Sequence, residues 1–191
     1  EADHVFANLG DGTYFHSGIM AVRQAVATDA NMTYKILFND AVAMTGGQKI
    51  DGELTVPILC QQVLAEGVKD VSVVSVNEWK GKLPKEVKLY PKKDFDKVQT
   101  ALTKVKGITV LIYDQQCATN KRREIKRGTQ PTPEERVWIN PAVCEDCGDC
   151  STKSNCLSVV PIETKLGTKR QIDQDNCNYS YDCLQGYCPS F

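Results

Sequence analysis

Val5-Phe6-Ala7-Asn8-Leu9-Gly10-Asp11-Gly12, answered by Tyr34-Lys35-Ile36-Leu37-Phe38-Asn39-Asp40-Ala41, is the stretch whose reading decides the fold. The apolar run 5–9 reads as a buried strand that ends in glycine. Residues 17–26 follow with helical periodicity, Ile19, Val22, Ala25 and Val26 falling on one side. A strand, a glycine-flanked turn and a helix make a cradle for phosphate. Glycine lets backbone N–H groups approach a ligand, and a helix N-terminus carries partial positive charge. Asp11, in the middle of that turn, would repel a bare phosphate. A divalent cation between carboxylate and phosphate resolves the conflict, because a hard cation takes oxygen ligands from both. The second apolar run, 34–38, ends at Asn39, 28 positions after Asp11. That is the length of one strand–helix–strand crossover, so two strand ends lie side by side at the carboxyl edge, where open α/β sheets bind ligands.

Gly10-Asp11-Gly12-Thr13-Tyr14-Phe15-His16-Ser17-Gly18, with Asn39 and Ala43-Met44-Thr45-Gly46-Gly47-Gln48, resembles the diphosphate-binding motif of thiamine-diphosphate enzymes. Within them it is most similar to 2-oxoacid:ferredoxin oxidoreductases of the indolepyruvate type. The resemblance implies a thiamine-diphosphate-binding fold and a magnesium ion held by Asp11, Asn39 and the backbone carbonyl of Ala41. It implies that Gly10, Gly12 and Thr45 line the diphosphate. His16 would contact the diphosphate or the substrate carboxylate, and is the one candidate catalytic side chain. The family's Asn-Asn doublet is Phe38-Asn39 here, so the match rests on Asn39.

Beyond this motif the α/β rhythm continues. A polar loop, 43–53, could close over a ligand. Residues 56–66 read as a helix with Pro57 in its first turn, where the missing N–H costs little. Cys60 on that helix reads as a small core residue. The β-branched run 71–76 is a strand, and 77–89 reads as irregular. Asp94 is the expected cap of a helix running to Lys106, with Phe95, Val98, Leu102 and Val105 apolar at spacings of three and four. Residues 108–113 are the next strand. Strands alternating with helices predict a parallel sheet covered on both faces, an α/β domain over 1–113. Residues 114–137 read as a linker without regular structure, basic at 121–127 and broken by Gly128, Pro131 and Pro133. Cys117 falls at its mouth. The basic run reads as solvated; its sharper reading is a dock for another subunit or a guide for an acidic ferredoxin.

The segment 138–191 is chemically different, and too short to be held by an apolar core alone. It carries Cys144-Glu145-Asp146-Cys147-Gly148-Asp149-Cys150 and ends near Cys188-Pro189. Three thiolates at that spacing, with a remote Cys-Pro, are the ligand pattern of a cubane [4Fe–4S] cluster. Zinc sites use two separate CxxC pairs instead. Cys144, Cys147, Cys150 and Cys188 are therefore the expected ligands of one [4Fe–4S] cluster in a small ferredoxin-like module, which the resemblance also implies. Cys156, Cys177 and Cys183 leave two readings open. They bind a second cluster, with a non-cysteine ligand or as a three-iron form, or they are free buried thiols. A two-cluster ferredoxin repeats CxxCxxCxxxCP, whereas Cys150 to Cys156 lacks the Cys-Pro and Cys177, Cys183 and Cys188 are widely spaced.

Nine cysteines in a chain of 191 residues, with an ordinary α/β body, suit metal-bound thiolates in a reducing cytoplasm better than disulfides. The net charge of −1 points to no nucleic acid or anionic membrane as partner. No apolar run approaches the roughly 20 residues that span a bilayer. The chain starts with glutamate and reads as a piece of something longer. The resemblance implies oxidative decarboxylation of a 2-oxoacid, an aryl pyruvate such as indolepyruvate, to an acyl-coenzyme A, with electrons leaving to ferredoxin. It also implies an oligomer and a partner pyrimidine-binding domain that supplies an activating glutamate, without which this chain is inactive. Two other classes are an electron carrier with no thiamine chemistry and a zinc-stapled interaction domain. Binding of thiamine diphosphate separates the first, and iron content the second.

Overall fold

The computed structural model describes residues 3–39, 41–42, 47–48, 50, 52–76, 79, 81–186 and 188–191. It divides into two compact units, Glu1–Asn120 and Lys121–Phe191.

The first unit is α/β. Its five strands are β1 (Val5–Gly10), β2 (Met32–Phe38), β3 (Asp70–Ser75), β4 (Lys88–Pro91) and β5 (Ile108–Asp114). They form one sheet in the order β1-β2-β5-β3-β4, every pair parallel. Parallel neighbours require crossovers, and the crossovers are helical. Side chains alternate across a strand, so each strand feeds two cores. Tyr34 and Ile36 of β2, Val71 and Val73 of β3, and Ile108, Val110 and Ile112 of β5 pack on one face. They meet Val22 and Ala25 of helix α2 (Ile19–Ala27) and Leu59, Cys60 and Val63 of helix α3 (Val56–Ala65). Val74 and Leu111 turn to the other face and meet Val98 and Leu102 of helix α4 (Phe95–Leu102). Each fully buried Leu or Val in these layers contributes about 1.5–3 kcal/mol. The sheet is thus covered on both faces, as the alternation of elements predicts.

Several local expectations change. The helix after β1 does not wait until Ser17. It begins at Asp11 as one α-turn, α1 (Asp11–Thr13), widens into a π-turn over Tyr14–Gly18, and continues into α2. Gly10-Asp11-Gly12 is therefore the junction of strand and helix and not a loop. Residues 77–89, expected irregular, end in β4, which lies at the sheet edge and pairs only with β3. Asp94 makes no side-chain cap; its carboxylate accepts from Lys97 Nζ at 3.3 Å. That helix stops at Leu102, and the chain then turns through Gly107 at φ +99°. The stretch 114–137 is not without regular structure, for helix α5 (Ala118–Lys126) lies in it. Gly128, Pro131 and Pro133 all fall beyond its end, and alanine, lysine, arginine and glutamate are good helix formers.

The second unit contains α6 (Asp149–Ser154) and an antiparallel hairpin of β6 (Val159–Thr164) and β7 (Gly167–Ile172). Its small core is Val137, Ile139, Cys144, Val159 and Ile172, with Cys150, Cys156, Cys177, Cys183, Tyr181 and Phe191 packed against it. Cysteine fills the role that aliphatic side chains fill in the first unit.

Candidate functional site

The parallel register sets Gly10 opposite Leu37, so the residues leaving β1 and β2 meet at the carboxyl edge. Asp11 is 1% exposed there. Its Oδ1 accepts the N–H of Gly12 at 2.9 Å and its Oδ2 accepts the N–H of Asn39 at 2.8 Å. Asn39 Oδ1 in turn accepts the N–H of Ala41 at 3.1 Å. Asp11, Asn39 and Ala41 are therefore brought together in one chain of contacts. A carboxylate, an amide oxygen and a main-chain carbonyl are all hard oxygen donors. That donor set fits magnesium.

The two glycines differ in what they admit. Gly10 takes ordinary extended angles, and a Cβ built on it would meet nothing within 4 Å. Among the described residues, nothing fills the space beside it. A Cβ on Gly12 would come 3.3 Å from Val42 Cγ2, so Gly12 lets the loop after β2 pass close to the helix start. That loop is closed at its base, where Val42 N–H donates to Gln48 O at 2.8 Å and Gly47 N–H to Val42 O at 3.0 Å. Thr45 lies outside the described residues. His16 is exposed on the π-turn. Beneath it Tyr14 is buried, its hydroxyl donates to Gln62 Oε1 at 3.2 Å, and burial, followed by the nearby Glu66 charge, raises its pKa well above the ordinary phenol range.

Sequence reasoning gave no place to a polar pair further along the same edge. Ser75, ending β3, donates to Asp114 Oδ2 at 2.8 Å, and Asp114 ends β5. Both are strand-end polar residues, which is the signal that could have marked them. Cys60 is fully buried and burial pushes its thiol up to about 12, as a core residue's would be. Cys117 is half-buried.

In the second unit a cavity of about 240 Å³ is lined by Cys144, Cys147, Cys150 and Cys188, together with Ile139 and Phe191. Cys144 is buried, and the backbone N–H of Arg170 donates to its sulfur at 3.4 Å. Such N–H···S bonds tune a cluster's potential. Among the described residues, no three His, Cys, Asp or Glu side chains gather tightly enough to hold a single ion. The four cysteines line one cavity, and a cluster would take one sulfur at each of its corners. The four residues fit the group the spacing predicts. Cys156, Cys177 and Cys183 are separate from that cavity's lining. The Cys183 thiol is raised by burial first, then by the neighbouring Cys156 and, more weakly, Cys177, and all three pack against the same small core. The basic run faces its own unit in part: Lys121 Nζ donates to Asn178 O at 3.3 Å and Arg122 Nη1 to Asn176 O at 2.8 Å. No described helix is long and apolar enough to cross a membrane.

No family model matches the sequence. Curated proteins do. The chain is 27% identical to the indolepyruvate oxidoreductase subunit IorA of Pyrococcus horikoshii over 192 residues, covering 97% of this chain and 27% of that one. The corresponding subunit of Thermococcus kodakarensis is 27% identical over 197 residues, covering 99% of this chain and 28% of its own length. That of Archaeoglobus fulgidus is 28% identical over 194 residues, covering 97% and 28%. The similarity to indolepyruvate-type oxidoreductases read from the motif thus extends over both units. The chain spans a little over a quarter of the length of the relatives it matches.

Proposed function

We propose that this chain is the thiamine-diphosphate-binding part of a 2-oxoacid:ferredoxin oxidoreductase subunit, acting on an aryl pyruvate such as indolepyruvate, joined to an iron–sulfur module that carries the electrons away. The observation that carries the reading is the contact of Asp11 Oδ2 with the N–H of Asn39 at 2.8 Å across two adjacent strand ends. It is supported by relatives named indolepyruvate oxidoreductase that align with nearly the whole chain.

Asp11, Asn39 and the Ala41 carbonyl would hold magnesium, and the open face of Gly10 would receive diphosphate oxygens. Bound thiamine diphosphate would supply the electron sink for decarboxylation of the 2-oxoacid, with the acyl group passing to coenzyme A. The chain's own part is to anchor and orient. Asp11 is fixed by two backbone N–H groups, which hold its carboxylate in one orientation. Gly12 keeps the loop after β2 close against the helix start. His16, exposed one helical turn onward, would contact the diphosphate or a substrate carboxylate. Cys144, Cys147, Cys150 and Cys188 would hold one [4Fe–4S] cluster. A cluster has a use only where electrons must leave, which favours an oxidoreductase over a simple decarboxylase. The glutamate that activates the aminopyrimidine in this class would come from a partner pyrimidine-binding domain, and ferredoxin would be the acceptor.

Anaerobic purification tests both halves together. The expected protein is brown, carries iron and sulfide, and retains thiamine diphosphate through gel filtration only with magnesium. A brown protein that never retains the coenzyme would instead be an electron carrier. A colourless zinc protein would remove the redox reading.

A further inference from the structure

The second unit repeats itself at an interval of 33 residues through its loops and 32 at its final cysteines, Cys156 and Cys188, and the repeat sets a serine where one of its cysteines would stand. The loop 144–150 has left-handed backbone at Asp146 (φ 56°) and Gly148 (φ 80°). The loop 177–183 has it at Tyr179 (φ 55°) and Tyr181 (φ 56°), the same offsets from its first cysteine. Two non-glycine residues in that region, one either side of Ser180, mark a conformation the surrounding structure imposes. The hydrogen bonds repeat as well. Ser151 N–H donates to Gly148 O and Leu184 N–H to Tyr181 O, both at 3.0 Å. Upstream, Asn140 Oδ1 accepts from Ala142 N–H and Asp173 Oδ1 from Asp175 N–H, again both at 3.0 Å. A helical turn starts at the equivalent residue in each half, Asp149 in one and Asp182 in the other.

The halves also exchange their ends. Asn140 N–H donates to Ser190 O at 2.7 Å, and Asp173 N–H donates to Ser158 O at 2.7 Å. Ser190 follows Cys188 by two positions and Ser158 follows Cys156 by two. Each half's final cysteine is thereby carried to the other half's loop. For the first loop this is visible as Cys188 on the cavity wall with Cys144, Cys147 and Cys150. By the same relation Cys156 goes to the loop that begins at Cys177. Superposing the loops by this relation pairs Cys144 with Cys177, Cys150 with Cys183, and Cys147 with Ser180.

We infer that the Ser180 hydroxyl oxygen is the fourth ligand of a second cluster held by Cys156, Cys177 and Cys183. The inference rests on reading this unit as an iron–sulfur module. Binding at this corner exchanges the serine proton for iron, with the proton released to solvent and no electron transferred, as for the three thiols. A hydroxyl gives up its proton far less readily than a thiol, so this corner is the one that loses iron first.

The test is anaerobic reconstitution of the full chain with ferrous iron and sulfide, read by iron and sulfide per chain and by electron paramagnetic resonance. The wild type is expected to hold about eight irons, two cubanes' worth. C144A/C147A should leave about four, all at the second site. S180A should hold about seven and give the signal of an oxidised three-iron cluster. S180C should restore about eight and suppress that signal even after mild oxidation. S180A indistinguishable from wild type in iron and spectrum overturns the role of Ser180. About four irons in wild type and none in C144A/C147A overturns the second site while the first stands. No iron in any form overturns the module reading itself.

Discussion

Asp11 is buried with both carboxylate oxygens accepting backbone N–H groups, so two donors depend on it. Asp11→Ala should abolish magnesium-dependent coenzyme binding and also cost about 1–3 kcal/mol of stability for each N–H left without an acceptor. Urea unfolding measures the second effect and coenzyme retention the first. Asn39→Ala should weaken binding with a smaller loss of stability, because its side chain serves one N–H at a loop. Cys60 carries a pH signature. Burial raises its thiol from an ordinary 9.0 to about 12, so the folded chain keeps a proton that the unfolded chain releases. The associated stability is fully present below pH 9 and is lost as pH climbs toward 12, at about 1.4 kcal/mol per unit in that window. Unfolding free energies at pH 8 and pH 10.5 should fall less in Cys60→Ala than in the wild type.

Among elements, the π-turn over Tyr14–Gly18 connects the strand junction to α2 and displays His16. A Cβ on Gly18 would come 3.1 Å from the backbone oxygen of Thr13 and 3.3 Å from Leu9 Cδ1, and backbone cannot move aside cheaply. Gly18→Ala should cost about 1–3 kcal/mol and lower coenzyme affinity, measured by thermal melting with and without magnesium and thiamine diphosphate. The π-turn was not legible in the sequence, because a one-residue widening leaves the apolar spacing of Ile19, Val22 and Val26 intact. The central strands were legible from their β-branched runs, since a parallel strand buried on both faces is apolar throughout. β4 was hidden for the opposite reason: it is an edge strand, Lys88–Pro91, short and half exposed, with no apolar run to betray it. The repeat in the second unit escaped a count of cysteines alone. It becomes visible only when the left-handed backbone at Tyr179 and Tyr181 is set beside that at Asp146 and Gly148. The meeting of Asp11 with Asn39, by contrast, follows from strand order and crossover length, both written in residues 5–39.

At the scale of the molecule, two units differ in what stabilises them: a layered α/β core in Glu1–Asn120, and a small core rich in sulfur in Lys121–Phe191. Metal-dependent stability should follow that division. Chelation of iron from the reconstituted protein should melt the second unit's near-ultraviolet signal while the sheet of the first persists, read by circular dichroism. The relatives are about four times longer than this chain, so the proposed active site should need more than is present here. No 2-oxoacid oxidation is expected from the chain alone with coenzyme A and ferredoxin, and detectable turnover would show that the activating group lies within it. The central claim is that oxygen donors from two neighbouring strand ends hold a cation that tethers a coenzyme's diphosphate. Calorimetric titration of thiamine diphosphate into the protein tests it most directly. The account predicts one site per chain with magnesium present, none with magnesium chelated, and none in Asp11→Ala that still shows the wild-type α/β circular dichroism. Binding that persists without magnesium or in that variant, or no binding by the wild type, would contradict it.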